Sequence, residues 1–307
     1  KNPLIYGQAF DSPFEFEDVK YWARVEGEDE YYEADGPDDV EYYSEGKMLF
    51  PRMWSSHRDD DYPGRSHWHY YMSFIDDPQV ETCLRDDGTV AEFIMPSFGD
   101  NLDFFFDYQM DWMYWRYFMW NFAGRQNDIH GDSPNQFAGS WECGIDFIDH
   151  ARLGDQSDAP GYMGEGNKGK NHYYMLPLLL GLIGVFFQCA RDRRGCWVTF
   201  LMFFMTGIAV VVYLNQPPYQ PRERDYAYAG SFYSFCIWIG IAVAALYTWI
   251  NELLEVERRG KKCAVITASV VTALALGVPT LMAVENWDDH DRSNRYTAVE
   301  MAKNYLN

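Results

Sequence analysis

The chain has 307 residues, a formal net charge of −21 and 48% hydrophobic residues, at a mean hydropathy of −0.37. That acid excess excludes a general electrostatic footprint on nucleic-acid phosphate; it reads as a solvated surface, such as one working in high salt, with an acidic cation site as the other reading. The average hides two unlike halves, because residues 1–167 carry most of the acid while long apolar runs begin near Tyr173.

Lys1 opens the chain with neither a methionine nor a signal-type apolar segment, and the closing TAVEMAKNYLN is a helical pattern without a stop signal. Both ends read as cut, and the chain as an internal piece of a larger protein. The acid concentrates in Glu26–Gly46 and in HRDDD, His57–Asp61. In SHWHY, His67 and His69 share a face if the segment is extended, but no third ligand stands nearby in the sequence to complete a metal site.

Next comes DFFFDYQMDWMYWRYFMWNFAGRQND, Asp103–Asp128, where more than half of Phe104–Phe122 is aromatic. Asp103, Asp107 and Asp111 recur at i, i+4 and share one helix face, while Gln109 and Arg116 project from another. The stretch reads as a helix at a membrane interface packed partly on protein, or as a plain buried helix. Arg125 and Asp128 fall where this helix should be ending.

Four uncharged apolar runs follow, at 173–190, 196–214, 229–250 and 263–284. Each is close to the ~20 residues that a helix needs to cross a hydrocarbon core. The fold class is therefore mainly α, a multi-spanning integral membrane protein with four transmembrane helices in a membrane domain over 168–284. An acidic extracytoplasmic region over 1–167 precedes it, and 285–307 starts a second one. A soluble helical core is the competing reading, but soluble helices normally keep a polar face. Arg191, Arg193 and Arg194 join the first two runs, and Arg258, Arg259, Lys261 and Lys262 join the last two. The positive-inside bias turns both connectors to the cytoplasm, and the acidic half, the 215–230 loop and the tail to the other side. In a bacterial inner membrane that side is the periplasm.

The 215–230 loop, NQPPYQPRERDYAYAG, is richer than a turn requires. Arg222 and Arg224 lie on the side where that bias disfavours arginine. Either Glu223 and Asp225 neutralise them, or they bind an anion at the membrane surface, where the planar guanidinium suits a phosphate. Pro217, Pro218 and Pro221 hold the loop extended, and Tyr219, Tyr226 and Tyr228 suit the headgroup zone. Beyond the fourth run, Asp289, His290 and Asp291, with Asp288, either coordinate a divalent cation or cap and solvate a helix start. The six cysteines form no CxxC pair. Cys189, Cys196, Cys236 and Cys263 read as small hydrophobes, and Cys83 and Cys143 are free to pair outside the cytosol. No Gly-rich phosphate loop, GxSxG or HExxH occurs.

Four stretches together carry a resemblance: FFFDYQMDWMYWRYFMWNFAGRQNDI, LPLLLGLIGVFFQ, YLNQPPYQPRERDYAYAGSFYSF and ENWDDHDRSNRYTAVEMAKNYLN. They resemble the bacterial multi-spanning membrane family of glycosyltransferase family 117, also called domain of unknown function 2723. That family is similar to transmembrane O-mannosyltransferases. The likeness is strongest from about Asn101 onward, and KMLFPRMWSS (Lys47–Ser56) shares it. It implies a glycosyltransferase-C architecture that moves a sugar, mannose by analogy, from a polyprenyl-phosphate donor to Ser or Thr hydroxyls of an exported acceptor protein. It also implies that the catalytic base lies in an amino-terminal core outside this piece, which does not catalyse alone. Arg222 and Arg224, with Asp225 and Tyr226, are then the substrate-binding candidates, and Arg125 and Asp128 belong to the same external cavity. No cofactor is required, although a divalent cation is admitted. A membrane scaffold for an envelope complex and a transporter subunit are the rival readings; uncharged spans count against the second.

Overall fold

The structure, a computed structural model, describes residues 4–24, 30–36, 39–53, 67–131, 134, 136–290, 293 and 296–306. The HRDDD run, residues 54–56 of KMLFPRMWSS, parts of the 26–46 acidic stretch and Asp291 lie outside the described residues. The chain divides into two compact units, Lys1–Asp111 with Val211–Pro221, and Trp112–Val210 with Arg222–Asn307.

The first unit is built on short antiparallel ribbons that the acidic composition does not announce. β1 (Tyr6–Gln8), β2 (Phe14–Glu17), β3 (Lys20–Ala23), β4 (Tyr32–Asp35), β5 (Asp39–Tyr42) and β6 (Lys47–Leu49) pair as β1–β6, β2–β5 and β3–β4. After α1 (His67–Met72), β7 (Gln79–Leu84) and β8 (Val90–Met95) form a hairpin. Its period-two pattern buries Cys83, Ala91 and Phe93 and leaves the alternate positions to water. His67 and His69 sit on α1 instead of an extended segment, so their i, i+2 spacing separates them. What holds α1 helical is Tyr71, fully buried against the rings of Phe10 and Phe104.

α2 (Phe98–Asp103) opens with a capping box between Ser97 and Asp100. It runs on as a π-helix over Phe104–Trp115 and then as α3 (Arg116–Phe122). Asp103, Asp107 and Asp111 are all exposed and Gln109 is buried, as the sequence spacing predicts. In this unit Gln109 donates to Asn215 Oδ1 at 2.9 Å and to the Gln216 carbonyl at 3.0 Å. Asn215 in turn donates to the Pro51 carbonyl at 3.0 Å, and Arg52 to that of Val212 at 2.9 Å. Burial pulls the Arg52 guanidinium down to about 10. The start of the 215–230 loop is thus stitched down by side-chain amides.

The second unit is mainly helical. The aromatic helix ends at Phe122, earlier than the expected 128, because Gly124 and Arg125 form β9 against β10 (Asn171–His172). Gly124 has φ 135° and lies where a Cβ would strike the Glu142 and Asn171 carbonyls, so only glycine fits. From Trp112 to Phe122 the helix is buried apart from Trp115 and Asn121, so its rings face protein. After α4 (Asp146–Leu153) come α5 (Leu176–Arg191), α6 (Arg193–Thr206), α7 (Ile208–Leu214), α8 (Ala229–Leu254), α9 (Lys261–Glu285), α10 (Trp287–His290) and α11 (Thr297–Leu306).

All four apolar runs are helical, and three helices are long and apolar enough to cross a membrane: Arg193–Leu214, Asp225–Leu254 and Lys261–Glu285. The first run is the exception. Its helix, α5, has 16 residues, about 24 Å at 1.5 Å per residue. It is shortened because Tyr174 and Met175 take left-handed backbone just before Pro177.

α5 and α8 pack through small-to-large complementarity. Gly181 lies under the Phe235 ring and Gly184 against the Trp238 backbone, each where a Cβ would overlap its neighbour. The Trp238 indole donates to Gln188 Oε1 at 2.7 Å. At the far end of α8, Glu252 pairs with Arg191 at 2.6 Å, so both basic connectors lie at one end of these helices. Cys189 and Cys196 are joined by a disulfide there, instead of standing as separate hydrophobes. Cys83 and Cys143, whose pairing the sequence leaves open, are free and buried: Cys83 packs in its hairpin, and Cys143 donates to Asp149 Oδ1 at 3.3 Å.

Gly184→Leu should therefore force α5 off α8 and lower stability by about 1–3 kcal/mol or more. Thermal unfolding in detergent measures it, and an unchanged midpoint would show that the close approach is not needed.

Candidate functional site

The second half of the 215–230 loop is organised by Glu223. Its carboxylate accepts from Arg116 Nη2 at 2.7 Å and Nη1 at 3.3 Å, from the Tyr117 hydroxyl at 2.5 Å and from the Gly131 N–H at 3.0 Å. Arg116 is itself buried. It donates to the Trp112 and Gly139 carbonyls and lies over the rings of Trp112, Tyr117 and Trp120 at 4.0, 4.5 and 4.7 Å. Glu223 thus neutralises an arginine of the aromatic helix, not its own neighbours Arg222 and Arg224. Burial alone would raise the Glu223 carboxyl, but the hydrogen bonds and charge of Arg116, with Gly131 N–H and Tyr117, hold it below its ordinary 4.5.

This anchor places Asp225 on the wall of a cleft of about 500 Å³. Trp120, Asn121 and Arg125 come from the aromatic segment, Asn171 and Tyr173 from the β10 region, and Met282 to His290 from the end of α9 and from α10. A polar seam closes the floor. Asn171 donates to Asn286 Oδ1 at 3.1 Å and Asn286 to the Tyr173 hydroxyl at 2.5 Å. Beside it Glu142 holds His172 at 2.9 Å and Lys170 at 3.3 Å, and the His172 N–H donates to Glu285 at 3.3 Å.

Arg125 is the cation of the cleft. Its guanidinium lies 4.1 Å over the Trp120 ring, and its Nε is buried without a partner. Burial pulls its pKa down, while the carboxylates of Asp128, Glu223, Asp225 and Asp289 push it back up. Among the described residues no carboxylate closes on it as an ion pair; those of Asp128, Glu223, Asp225 and Asp289 act on it only through their charge. Exposed Trp287 forms the rim.

Four of the sequence candidates, Arg125, Asp225, Asp289 and His290, meet in this cleft. Among the described residues, the other candidates do not line it. Arg222 is exposed, 5.5 Å over the exposed Tyr226 ring. Arg224 is half-buried, with its N–H on the Tyr117 hydroxyl at 3.2 Å and its Nε buried without a partner. Asp128 accepts from Asn167 at 2.7 Å. The His290 ring lies 3.8 Å from Asp289 and 3.0 Å from the Asn286 carbonyl. Among the described residues no group of three His, Cys, Asp or Glu is placed to hold a metal. Sequence reasoning missed Trp120, Asn121, Asn171, Tyr173, Asn286 and Trp287. Their signal is positional, since each abuts the end of an apolar or aromatic run.

A second concavity of about 670 Å³ runs along α9, lined by Leu276, Pro279, Thr280, Ala283, Val284, Trp287 and Asp288. It shares Ala283 and Trp287 with the cleft.

Fold and site define a mainly helical protein with three helices of membrane-crossing length and a polar, tryptophan-walled cleft at the helix ends away from the basic connectors. The model of one family, described as "Family of unknown function (DUF8416)", matches residues 1–106, a third of the 307 residues, and ends before the first cleft residue. No curated protein and no solved structure matches the chain.

Removing one partner of a buried charge pair strands the other, so Arg116→Met should destabilise by about 3–5 kcal/mol. The double replacement with Glu223→Met should cost less than the two single ones added, which thermal denaturation can read; strict additivity would mean the pair is uncoupled. Because folding lowers the Glu223 pKa, its contribution is full above its unfolded value and fades as pH falls through the folded one. Glu223→Gln should accordingly flatten the acid arm of the stability curve.

Proposed function

We propose that this chain is part of a membrane glycosyltransferase that moves a sugar from a polyprenyl-phosphate donor to Ser or Thr hydroxyls of exported proteins. The observation that carries it is Arg125, a cation set against a tryptophan face in a cleft that two carboxylates share. A sugar phosphodiester needs that combination. Its single negative charge meets one guanidinium. Its hydroxyls donate to Asp225 and Asp289, and the C–H face of a pyranose lies against an aromatic ring such as Trp287. Transfer needs a base to take the acceptor proton and positive charge for the departing lipid phosphate. Arg125 fills the second role better than Arg222 or Arg224, which do not line the cleft. No base is assigned within this chain.

The same reading makes the four apolar helices a transmembrane bundle of glycosyltransferase-C type in a bacterial inner membrane. α5 would cross it only with local thinning or flanking polar residues reaching outward. Arg191 and the Arg258–Lys262 connector supply the cytoplasmic end, and the cleft at the other ends of α8 and α9 opens to the periplasm. The family resemblance of the aromatic, loop and tail stretches supports this reading.

In vesicles carrying the full protein, transfer of labelled mannose from its polyprenyl phosphate to a Ser/Thr acceptor should fall about 10²-fold or more in Arg125→Ala. Arg222→Ala should retain most of it. Wild-type transfer by Arg125→Ala would remove that residue from the site. Identical glycans on exported proteins with and without the gene would remove the transferase reading and leave the scaffold and transporter.

A further inference from the structure

The connector between α5 and α6 carries chemistry that the cleft does not use. Cys189 lies in the last turn of α5 and Cys196 in the first turn of α6, and their disulfide brings the two Cα atoms to 5.2 Å. Cys189 is exposed, whereas Cys196 is buried. The reversal between the helices does not depend on the bond. The Asp192 N–H donates to the Gln188 carbonyl at 2.7 Å, and the Cys196 N–H to the Asp192 carbonyl at 2.9 Å. Asp192 Oδ1 accepts from the Gly195 N–H at 3.0 Å, and a Cβ at Gly195 would strike that carboxylate. Gln188 and Arg191 tie the end of α5 to α8 through Trp238 and Glu252. The same turn therefore holds the two sulfurs together whether or not they are bonded. A loop this short also withholds less entropy from the unfolded chain than a long one, so the bond is added to a turn already made.

We infer that Cys189 and Cys196 form a reversible thiol–disulfide exchange site, closed by low-molecular-weight disulfides such as oxidised glutathione and reopened by cytosolic thiols. Only the cytoplasmic placement of the basic connectors is taken from the proposed reading; nothing here rests on sugar transfer. In that compartment thiols are kept reduced and disulfides are transient. Arg191, Arg193 and Arg194 stand between the two cysteines in the sequence, and neighbouring cations favour the thiolate that exchange requires. Exposure sets the order of events. The exposed Cys189 thiolate attacks one sulfur of oxidised glutathione and displaces a glutathione thiolate. Cys196 then gives up its proton to solvent and attacks the Cys189 sulfur, and the second glutathione leaves as its thiolate. Two protein thiols are oxidised, and one glutathione disulfide is reduced to two thiols.

The test equilibrates the full protein in detergent with glutathione, traps it with acid, and labels it in denaturant with a maleimide polymer that shifts gel mobility once per thiol. In mostly reduced glutathione all six cysteines should label. In equimolar reduced and oxidised glutathione the number should fall to the four that stand free, and peptide mass should assign the lost pair to Cys189 and Cys196. Cys196→Ser should trap a glutathione on Cys189. Cys189→Ser should take one up on the buried Cys196 at least about tenfold more slowly. The wild-type titration needs no variant, so it decides even where a serine replacement fails to fold. A pair that stays closed in mostly reduced glutathione is a permanent clasp, and one that stays open in the equimolar buffer is no exchange site; either result overturns the inference. On whole cells, a membrane-impermeant maleimide should leave Cys189 unlabelled until the membrane is opened. Labelling would overturn the cytoplasmic placement and the reopening by cytosolic thiols with it, while sugar transfer at the cleft would still answer to its own assay.

Discussion

The buried pair of Arg116 and Glu223 is the constraint from which the second unit takes its form. A lone carboxylate among aromatic rings would be neutralised by its own desolvation, and a lone guanidinium would be an uncompensated charge. Here each completes the other. Glu223 receives donors from Arg116, Tyr117 and Gly131, and Arg116 spends its remaining donors on the Trp112 and Gly139 carbonyls. Such a fully satisfied network tolerates little displacement. It ties the aromatic helix to the backbone at Gly131 and Gly139 and to the start of the segment leading into α8.

The cleft follows from that fixation. Tyr117 is bound to Glu223 and to the Arg224 N–H, and the next residue, Asp225, lies at the cleft wall. Trp120, packed edge-on to Tyr117, has the guanidiniums of both Arg116 and Arg125 over its ring. Two stacked guanidiniums on one indole are tolerable because Glu223 compensates the first. The second keeps its charge for the cleft. Arg125 is placed by backbone as well, since its N–H bonds Asn171 and its strand register is set by Gly124.

The helices were legible from sequence because their signal is local: uncharged runs cannot be solvated, and prolines and basic clusters mark their ends. Cleft membership was half legible. Arg125, Asp225, Asp289 and His290 stood out as ionisable groups beside apolar runs, and the structure gathers them. The role of Glu223 was not legible, because sequence proximity favours pairing it with Arg222 and Arg224, whereas the choice of Arg116 is made by a contact across more than a hundred residues. The ribbons of the first unit were hidden for another reason. Strands of three or four residues, rich in Glu, Asp and Tyr, give too short an alternation to rise above an acidic composition. The left-handed residues that shorten α5 carry no sequence mark, since neither Tyr174 nor Met175 is a residue that favours that conformation.

The charge arithmetic of the cleft narrows what it can hold. With Glu223 compensated, the described wall sets the Arg125 guanidinium beside the carboxylates of Asp225 and Asp289. Those two carboxylates oppose a free phosphate dianion, as the protein's net charge of −21 opposes any anion drawn from solution. A monoanion rich in hydroxyl donors suffers neither problem at contact, because the carboxylates become acceptors for its hydroxyls instead of opposing charges. Delivery then cannot rely on long-range steering, which the Debye length confines to about 10 Å in ordinary salt. A ligand already confined to a lipid surface needs no such steering. Under the proposed reading, the acid excess and the Arg125 cation favour a lipid-borne, singly charged sugar over soluble anions.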